Sequence, residues 1–231
     1  MKKVIVNFSG GKDSTVAILE TLKVYPKEEI LLCYQDTGAD YLETDTHVKA
    51  IAEMLDLSLV VLKRDEDYWG LTKRVGWPMP DTRYCTKKLK QDMIRHWVSK
   101  HRSDFGDEIV IVTGLRAEES PARAKLGEWA IDDHLTTKKQ TVKFWAPCLR
   151  MGEQEVKDRV VAEGLSLHPC YEFAPRCNCW LCVFAHPNVV RTYAEMHPEL
   201  WEKACLLEDE LKRKWKLHFA INDLMKQGRL L

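Results

Sequence analysis

The chain has no charge excess: 35 lysines and arginines meet 35 aspartates and glutamates over 231 residues. No global electrostatic argument for nucleic-acid binding follows from that balance. No apolar stretch reaches membrane-spanning length, and Met1-Lys2-Lys3 runs straight into an apolar segment with no cleavage signal. A membrane protein is therefore excluded and a cytoplasmic one expected. No internal repeat and no low-complexity tract is present. Two familiar phosphate-binding fingerprints are also missing. Gly-x-Gly-x-x-Gly does not occur, and Val6 stands where a Walker A loop needs glycine. Cysteine, by contrast, is plentiful. Eight cysteines in a cytoplasmic chain point to ligands or redox groups rather than structural disulfides. Eight tryptophans are many for this length, and most are expected in the core or at interfaces.

Four apolar runs alternate with helical patterns: Lys3 to Phe8, Ile30 to Gln35, Leu57 to Lys63 and Glu108 to Thr113. Val48, Ile51, Ala52 and Leu55 share one face of a helix between the second and third. Such alternation predicts a parallel sheet with right-handed crossovers and ligands beyond the carboxyl ends of the strands. Polar clusters follow each run: Ser9 to Ser14, Asp36 to Asp40, Arg64-Asp65 and Gly114 to Glu119. Residues 65 to 84, rich in Gly, Pro and Trp, read as an irregular loop. Leu89, Met93 and Trp97 mark one face of a helix. Residues 123 to 143 have little periodicity and read as a mobile flap. A helix with Val156 and Val160 is expected after Phe144 to Pro147. Another begins at Pro198, with Leu200, Ala204, Leu207, Leu211 and Trp215 in register. The division expected is an α/β domain over 1–147 and a cysteine-rich helical region over 148–231.

Ser9-Gly10-Gly11-Lys12-Asp13-Ser14 directly follows the first apolar run. A strand, a glycine turn and a helix start aim backbone N–H groups at one point and form an anion site, usually for phosphate. Gly10 and Gly11 admit a ligand close to the backbone. Ser9 and Ser14 add hydroxyls, and Lys12 adds a positive charge. Asp13 would repel a phosphate unless a cation such as Mg²⁺ intervenes.

Cys177-Asn178-Cys179-Trp180-Leu181-Cys182 is the second strong signal. Three thiols in six residues suit zinc or an iron–sulfur cluster. Cys85, beside cations at an expected helix start that should lower its pKa, is the first candidate for a fourth ligand, and Cys170 is the reserve. Histidines before proline, His168, His186 and His197, are the other candidates for a zinc site. Cys33 and Cys205 lie in apolar patterns and read as buried small hydrophobes.

The hexapeptide resembles the PP-loop of the ATP pyrophosphatases, in the adenine nucleotide α-hydrolase superfamily that includes the phosphoadenosine phosphosulfate (PAPS) reductases. Asp36-Thr37-Gly38 with Leu42-Glu43-Thr44, Gly114-Leu115-Arg116-Ala117-Glu118-Glu119-Ser120 with Arg123, Cys85 with Lys87 and Lys90, and His168-Pro169 with Tyr171 look like further segments of the PAPS reductase family. The iron–sulfur protein of DNA phosphorothioation systems is similar. The resemblance implies a Rossmann-like α/β fold: a parallel five-stranded sheet flanked by helices, with a C-terminal cysteine-rich helical extension.

It also implies MgATP over the loop, held by Ser9, Gly10, Gly11, Lys12, Asp13 and Ser14, with Asp36, Gly114, Arg116 and Arg123 around the nucleotide. Lys12, Asp13 and Arg116 would serve the cleavage to AMP and pyrophosphate that activates an acceptor for sulfur transfer. Cys85, Cys177, Cys179 and Cys182 would hold a [4Fe–4S] cluster, with zinc as the alternative. The acceptor stays open, nucleic acid included, and a sulfur or electron donor protein and a homo-oligomer are both compatible.

Two departures separate the chain from true sulfonucleotide reductases. Its loop keeps the intact ATP-type form including Asp13, and no Glu-Cys-Gly-type motif follows Cys205. A reductase fed by thioredoxin or glutaredoxin would need Cys148 or Cys205 exposed beside the loop. A non-enzymatic zinc- and nucleotide-binding module is the third possibility.

Overall fold

The computed structural model describes residues 1–216 and 220–225. Its centre is one six-stranded sheet. The strands are β1 (Lys2–Asn7), β2 (Ile30–Asp36), β3 (Ser58–Lys63), β4 (Phe105–Thr113), β5 (Trp129–Ile131) and β6 (Thr141–Trp145), in the order β3-β2-β1-β4-β6-β5. The first five in that order run parallel and β5 is an antiparallel edge. The expected parallel five-stranded sheet is present, with one short strand added.

Strands β1 and β4 are covered on both faces, which explains their unbroken apolar runs. Val4 and Val6 enter a core with Val16 and Ile18 of α1 (Lys12–Leu22), Val48 and Ile51 of α2 (Glu43–Met54), and Val156 and Val160 of α7 (Glu153–Ala162). Ile5, Ile109 and Ile111 face the other way, against Ile94 and Val98 of α5 (Asp92–Lys100). Because Cys148, Val156, Val160 and Leu165 belong to the first of these cores, the division expected at residue 147 falls inside it. A third core joins α3 (Tyr68–Val75) to the cysteine segment and to α8 (Pro187–Met196), α9 (Pro198–Leu211) and α10 (Ile221–Leu224).

Four local expectations are corrected. Residues 65 to 84 contain α3, whose start is capped by Asp67 accepting from the Trp69 and Gly70 amides and whose end is Gly76 at φ +91°. Its many aromatics face the third core, so apolar spacing did not reveal a helix. The segment 123 to 143 is no flap. It carries α6 (Pro121–Ala124) in part, then β5 and the start of β6, and its polar residues stand on an edge strand that is open to solvent. Leu89 does not share a face with Met93 and Trp97. A short helix, α4 (Tyr84–Thr86), passes through a π-turn at Lys87–Gln91 into α5, and the widened turn sends Leu89 into the third core while Met93 and Trp97 face the sheet. The last long helix ends at Leu211, because Lys212 takes a left-handed conformation, and Trp215 folds back outside it.

The strand order places the topological switch between β1 and β4. Connections leave β1 toward β2 on one side and β4 toward β6 on the other, which opens a crevice at their carboxyl ends. Among the described residues no helix is long and apolar enough to cross a membrane.

Candidate nucleotide and thiol site

The loop after β1 and the turn after β4 meet at this crevice. A Cβ on Gly114 would lie 2.4 Å from the carbonyl carbon and oxygen of Asp13 and 2.5 Å from the Ser14 nitrogen, so only glycine lets the two backbones pass. Gly10 holds φ +77° and Gly11 is the extended residue before α1. Ser14 Oγ donates to the Gly11 carbonyl (2.8 Å) and accepts from the Ser9 amide (3.2 Å), closing the turn on itself. The opening amides of a helix lack intrahelical partners. That of Lys12 donates to Tyr171 Oη (3.0 Å), 159 residues further on.

The charged side chains form pairs around the loop. Arg116, almost fully buried, donates to Asp13 and to Glu118 (2.5 Å). Lys12, also buried, lies 3.4 Å from Asp13 and 3.7 Å from Glu153, with its ammonium 5.1 Å from the centre of the Tyr171 ring. Arg123 donates to Glu119, and Arg176 reaches the same carboxylate at 3.3 Å. Burial works against the Arg116 charge, yet Asp13, Glu118 and Glu119 raise its pKa. Arg116 is thus not the surface partner of Glu118 alone; it anchors the loop aspartate.

These groups line a cavity of about 740 Å³ that the cysteine segment also borders. Ser9, Gly11, Lys12, Asp13, Ser14, Gly114, Arg116, Arg123, Cys177 and Cys182 all border it. Gly10 sits beneath it, packed toward Val48, His47 and His168. Asp36 is not on the wall. It accepts from the Gly38 amide (2.8 Å) and pairs with Lys63 (3.1 Å), the geometry of a turn cap.

The cysteine segment packs directly on the loop. Cys177 Cβ lies 3.3 Å from where Gly11 would carry a Cβ, and its thiol is 3.9 Å from the Ser9 carbonyl. Cys179 sits between Asp40 (3.5 Å) and Thr37 (3.4 Å). Burial, then Asp40, pushes its thiol pKa upward. Cys85, expected to be acidified at a helix start, is instead raised, because burial outweighs the neighbouring Lys90. Lys90 stands among these thiols: burial lowers its pKa, but Cys179, Asp40, Cys177 and Cys182 more than offset that and raise it.

His168, Cys170 and Cys177 bring their ligand atoms within 4.8 Å of one another. A hydrogen bond shared with Cys177 draws the Cys170 thiol pKa down and pushes that of Cys177 up. His168 Nδ1 accepts from the Cys170 amide (3.0 Å), and its Nε2 meets Thr44 Oγ1 (3.0 Å). Cys170, the reserve candidate for a ligand, therefore stands beside Cys177. Cys148 lies close to the loop, with its thiol 3.6 Å from the Asp13 carbonyl, but it is fully buried and burial raises its pKa. Cys33 is buried as expected, and Cys205 is half-buried. Sequence reasoning passed over Glu153, Arg83 and Phe184. Nothing in their local pattern separates them from surface residues, since only the fold brings them to the cavity.

The profile of the phosphoadenosine phosphosulfate reductase domain matches residues 3–183. The chain belongs to that family. Membership in the PAPS reductase family makes it a PP-loop superfamily protein, with Ser9 to Ser14 as the loop. An uncharacterized protein of Methanocaldococcus jannaschii is 28% identical over 203 residues, which cover 87% of this chain and 40% of that relative, so the chain spans two-fifths of its length. Among solved structures, the phosphoadenylyl-sulfate reductase of Candida auris in a phosphate complex superposes with a TM-score of 0.57 at 14% identity, over 79% of this chain and 83% of that one. The U34-tRNA thiolase NcsA of Methanococcus maripaludis, solved with its [4Fe-4S] cluster, gives 0.53 at 16% identity, over 99% of this chain and 74% of that one. These similarities show a shared Rossmann-type fold.

Proposed function

We propose that this PAPS reductase-family protein binds MgATP over residues 9–14, cleaves it to AMP and pyrophosphate, and thereby activates an acceptor for sulfur transfer in the cytoplasm. The observation that carries the reading is the meeting of the intact loop, Arg116 and the cysteine segment in one cavity. Loop amides, Ser9 and Ser14 would hold phosphate oxygens, and Lys12 would balance the charge of departing pyrophosphate. Asp13 would exchange its bond with Arg116 for a Mg²⁺-bound phosphate, which frees the guanidinium to face the α-phosphate. Arg123 would act as a second clamp. No protein nucleophile is needed, since positioning and charge stabilisation perform the step.

Cys85, Cys177, Cys179 and Cys182 would hold a [4Fe–4S] cluster. Their chemistry fits: all are thiols, and the charge of Cys182 acts on both Cys85 and Cys179. With Zn–S near 2.3 Å, one tetrahedral zinc draws its sulfurs to about 3.8 Å from each other, whereas a cluster holds them farther apart. Among the described residues His168, Cys170 and Cys177 bring their ligand atoms within 4.8 Å of one another, a set that shares Cys177 with these four and suits the zinc alternative. A [4Fe–4S] cluster would supply a thiophilic site for sulfide, delivered by a donor protein.

The competing reading, sulfonucleotide reduction, requires Cys148 or Cys205 exposed beside the loop; Cys148 is enclosed, and Cys205 is half-buried on α9 and does not border the cavity. The test is anaerobic purification with iron, sulfide and zinc analysis, followed by incubation with MgATP and assay of AMP and pyrophosphate. Iron together with pyrophosphate release is expected. Zinc alone, with turnover of neither ATP nor sulfonucleotides, would overturn the proposal.

A further inference from the structure

Charges along the cavity wall are distributed unevenly. At the loop, Lys12, Arg116, Arg123 and Arg176 each meet a carboxylate. The same cavity is also bordered by Arg83 and Lys90, and Lys90 faces Asp40 and the thiols. Neither cation makes a hydrogen bond or a close ion pair among the described residues. Arg83 instead lies over the ring of Phe184, 5.3 Å from its centre. Phe184 borders the same cavity and is 54% exposed, although it belongs to the segment that packs the third core.

An exposed aromatic ring beside Arg83, which has no carboxylate partner among the described residues, and near Lys90, which faces Asp40 and the thiols, suits a ligand that is flat, aromatic and anionic. An acidic peptide would satisfy the cations and leave the ring unused. An apolar ligand would cover the ring and strand the cations. A nucleobase carrying its phosphate uses both, by stacking on the ring and placing the phosphate against Arg83 or Lys90.

We propose that Phe184 and Arg83 form a stacking platform for a nucleobase of the acceptor, in the same cavity as the loop. The inference rests on the reading that one cavity holds both ATP and an acceptor. The base is splayed out of its strand onto Phe184, and the adjoining phosphate lies toward Arg83. The same chemistry is offered by a single-stranded nucleic acid and by a free mononucleotide, and competition distinguishes them.

The experiment measures fluorescence anisotropy of a short labelled single-stranded RNA with the full chain, beside ATP binding and pyrophosphate release. Phe184→Ala is expected to weaken strand binding about tenfold, within the ~1–3 kcal/mol assigned to one stacked base. Phe184→Trp should restore it, and neither variant should change ATP affinity. Arg83→Gln should reduce the salt slope of strand binding by about one phosphate contact. Cytidine monophosphate displacing the strand at comparable concentration would identify the free nucleotide as the source. Failure to displace it would identify the strand. Binding indifferent to Phe184, duplex bound as well as single strand, or a Phe184→Ala variant that loses ATP instead, would each overturn the platform. Phe184-dependent strand binding without ATP cleavage would remove the adenylylation reading alone, and ATP cleavage with Phe184-independent binding would remove only the platform.

Discussion

At the loop end of the cavity every cation is held by a carboxylate. At the cysteine end Arg83 has no carboxylate partner among the described residues and Lys90 faces Asp40 and the thiols, of which burial raises the pKa of Cys85 and Cys179. The loop end is close to neutral as it stands, so a triphosphate with its metal ion can enter by exchange of partners and need not meet bare charge. The cysteine end must change protonation before it can work as a ligand set, because thiols bind metal as thiolates and release protons as they do so. One end is therefore prepared for a ligand that comes and goes, and the other for a group that is installed once. The Cys177 contact with the loop and the Tyr171 bond to Lys12 join the two.

Gly114→Ala should break the loop end most severely. The added methyl meets backbone at 2.4 Å on the Asp13 side, where no side chain can give way. Either α1 shifts or the turn after β4 does, and a displacement of that size costs about a hundredfold in a positioned reaction. Pyrophosphate release should fall by at least that factor, with a loss of stability of about 1–3 kcal/mol in denaturant titrations. Retained turnover would show that the two backbones do not meet as described.

Glu208→Ala should strike the other end through its scaffold. This buried carboxylate accepts from the Trp215 amide (2.8 Å), the Ile221 amide (2.9 Å) and the Asn222 amide (3.2 Å). Trp215 in turn donates from its ring to the Leu181 carbonyl (3.0 Å), inside the cysteine segment. Stranding these amides should destabilise the protein by about 3–5 kcal/mol. Limited proteolysis should then cut near the cysteine segment before the sheet. Equal protection of both regions would mean that the two ends unfold as one unit.

Cys85→Ser and Cys170→Ser sharpen the comparison within the cysteine end. With Cys85 as a cluster ligand, its loss should lower iron per chain by more than half, while Cys170→Ser leaves iron near the wild-type value. The reverse result would move Cys177 into a site with His168 and Cys170, the grouping with ligand atoms within 4.8 Å.

The parts of this arrangement differed in how openly the sequence displayed them. The four runs of β1 to β4 were legible because central parallel strands are apolar on both faces, and Ser9 to Ser14 was legible because a glycine turn after such a strand has few other uses. Strand β6 hid because its half-buried Lys143 and the polar stretch before it break the apolar run. Helix α3 hid because Trp69 and Tyr68 face a core built from the far end of the chain. Arg116 was found from its place after a strand, but its bond to Asp13 spans 103 residues. Acidification of Cys85 was expected from sequence neighbours, and it failed because burial outweighed them. Local pattern reveals what a residue can do, whereas its charge state depends on what the fold excludes around it.

The smallest expected effect tests the joint between the two ends. Tyr171 Oη is the acceptor for the Lys12 amide, and its ring lies beneath the Lys12 ammonium. Tyr171→Phe keeps the ring and removes the acceptor, so the expected loss of stability is about 1 kcal/mol, one hydrogen bond. The amide it leaves behind is one that a phosphate oxygen can use. Inorganic pyrophosphate should accordingly bind the variant at least as tightly as wild type, measured by calorimetry, while the denaturation midpoint falls. If pyrophosphate binding weakened in step with stability, Tyr171 would be holding the loop in its binding shape, and the phenol would count as part of the phosphate site rather than as a tie between two walls.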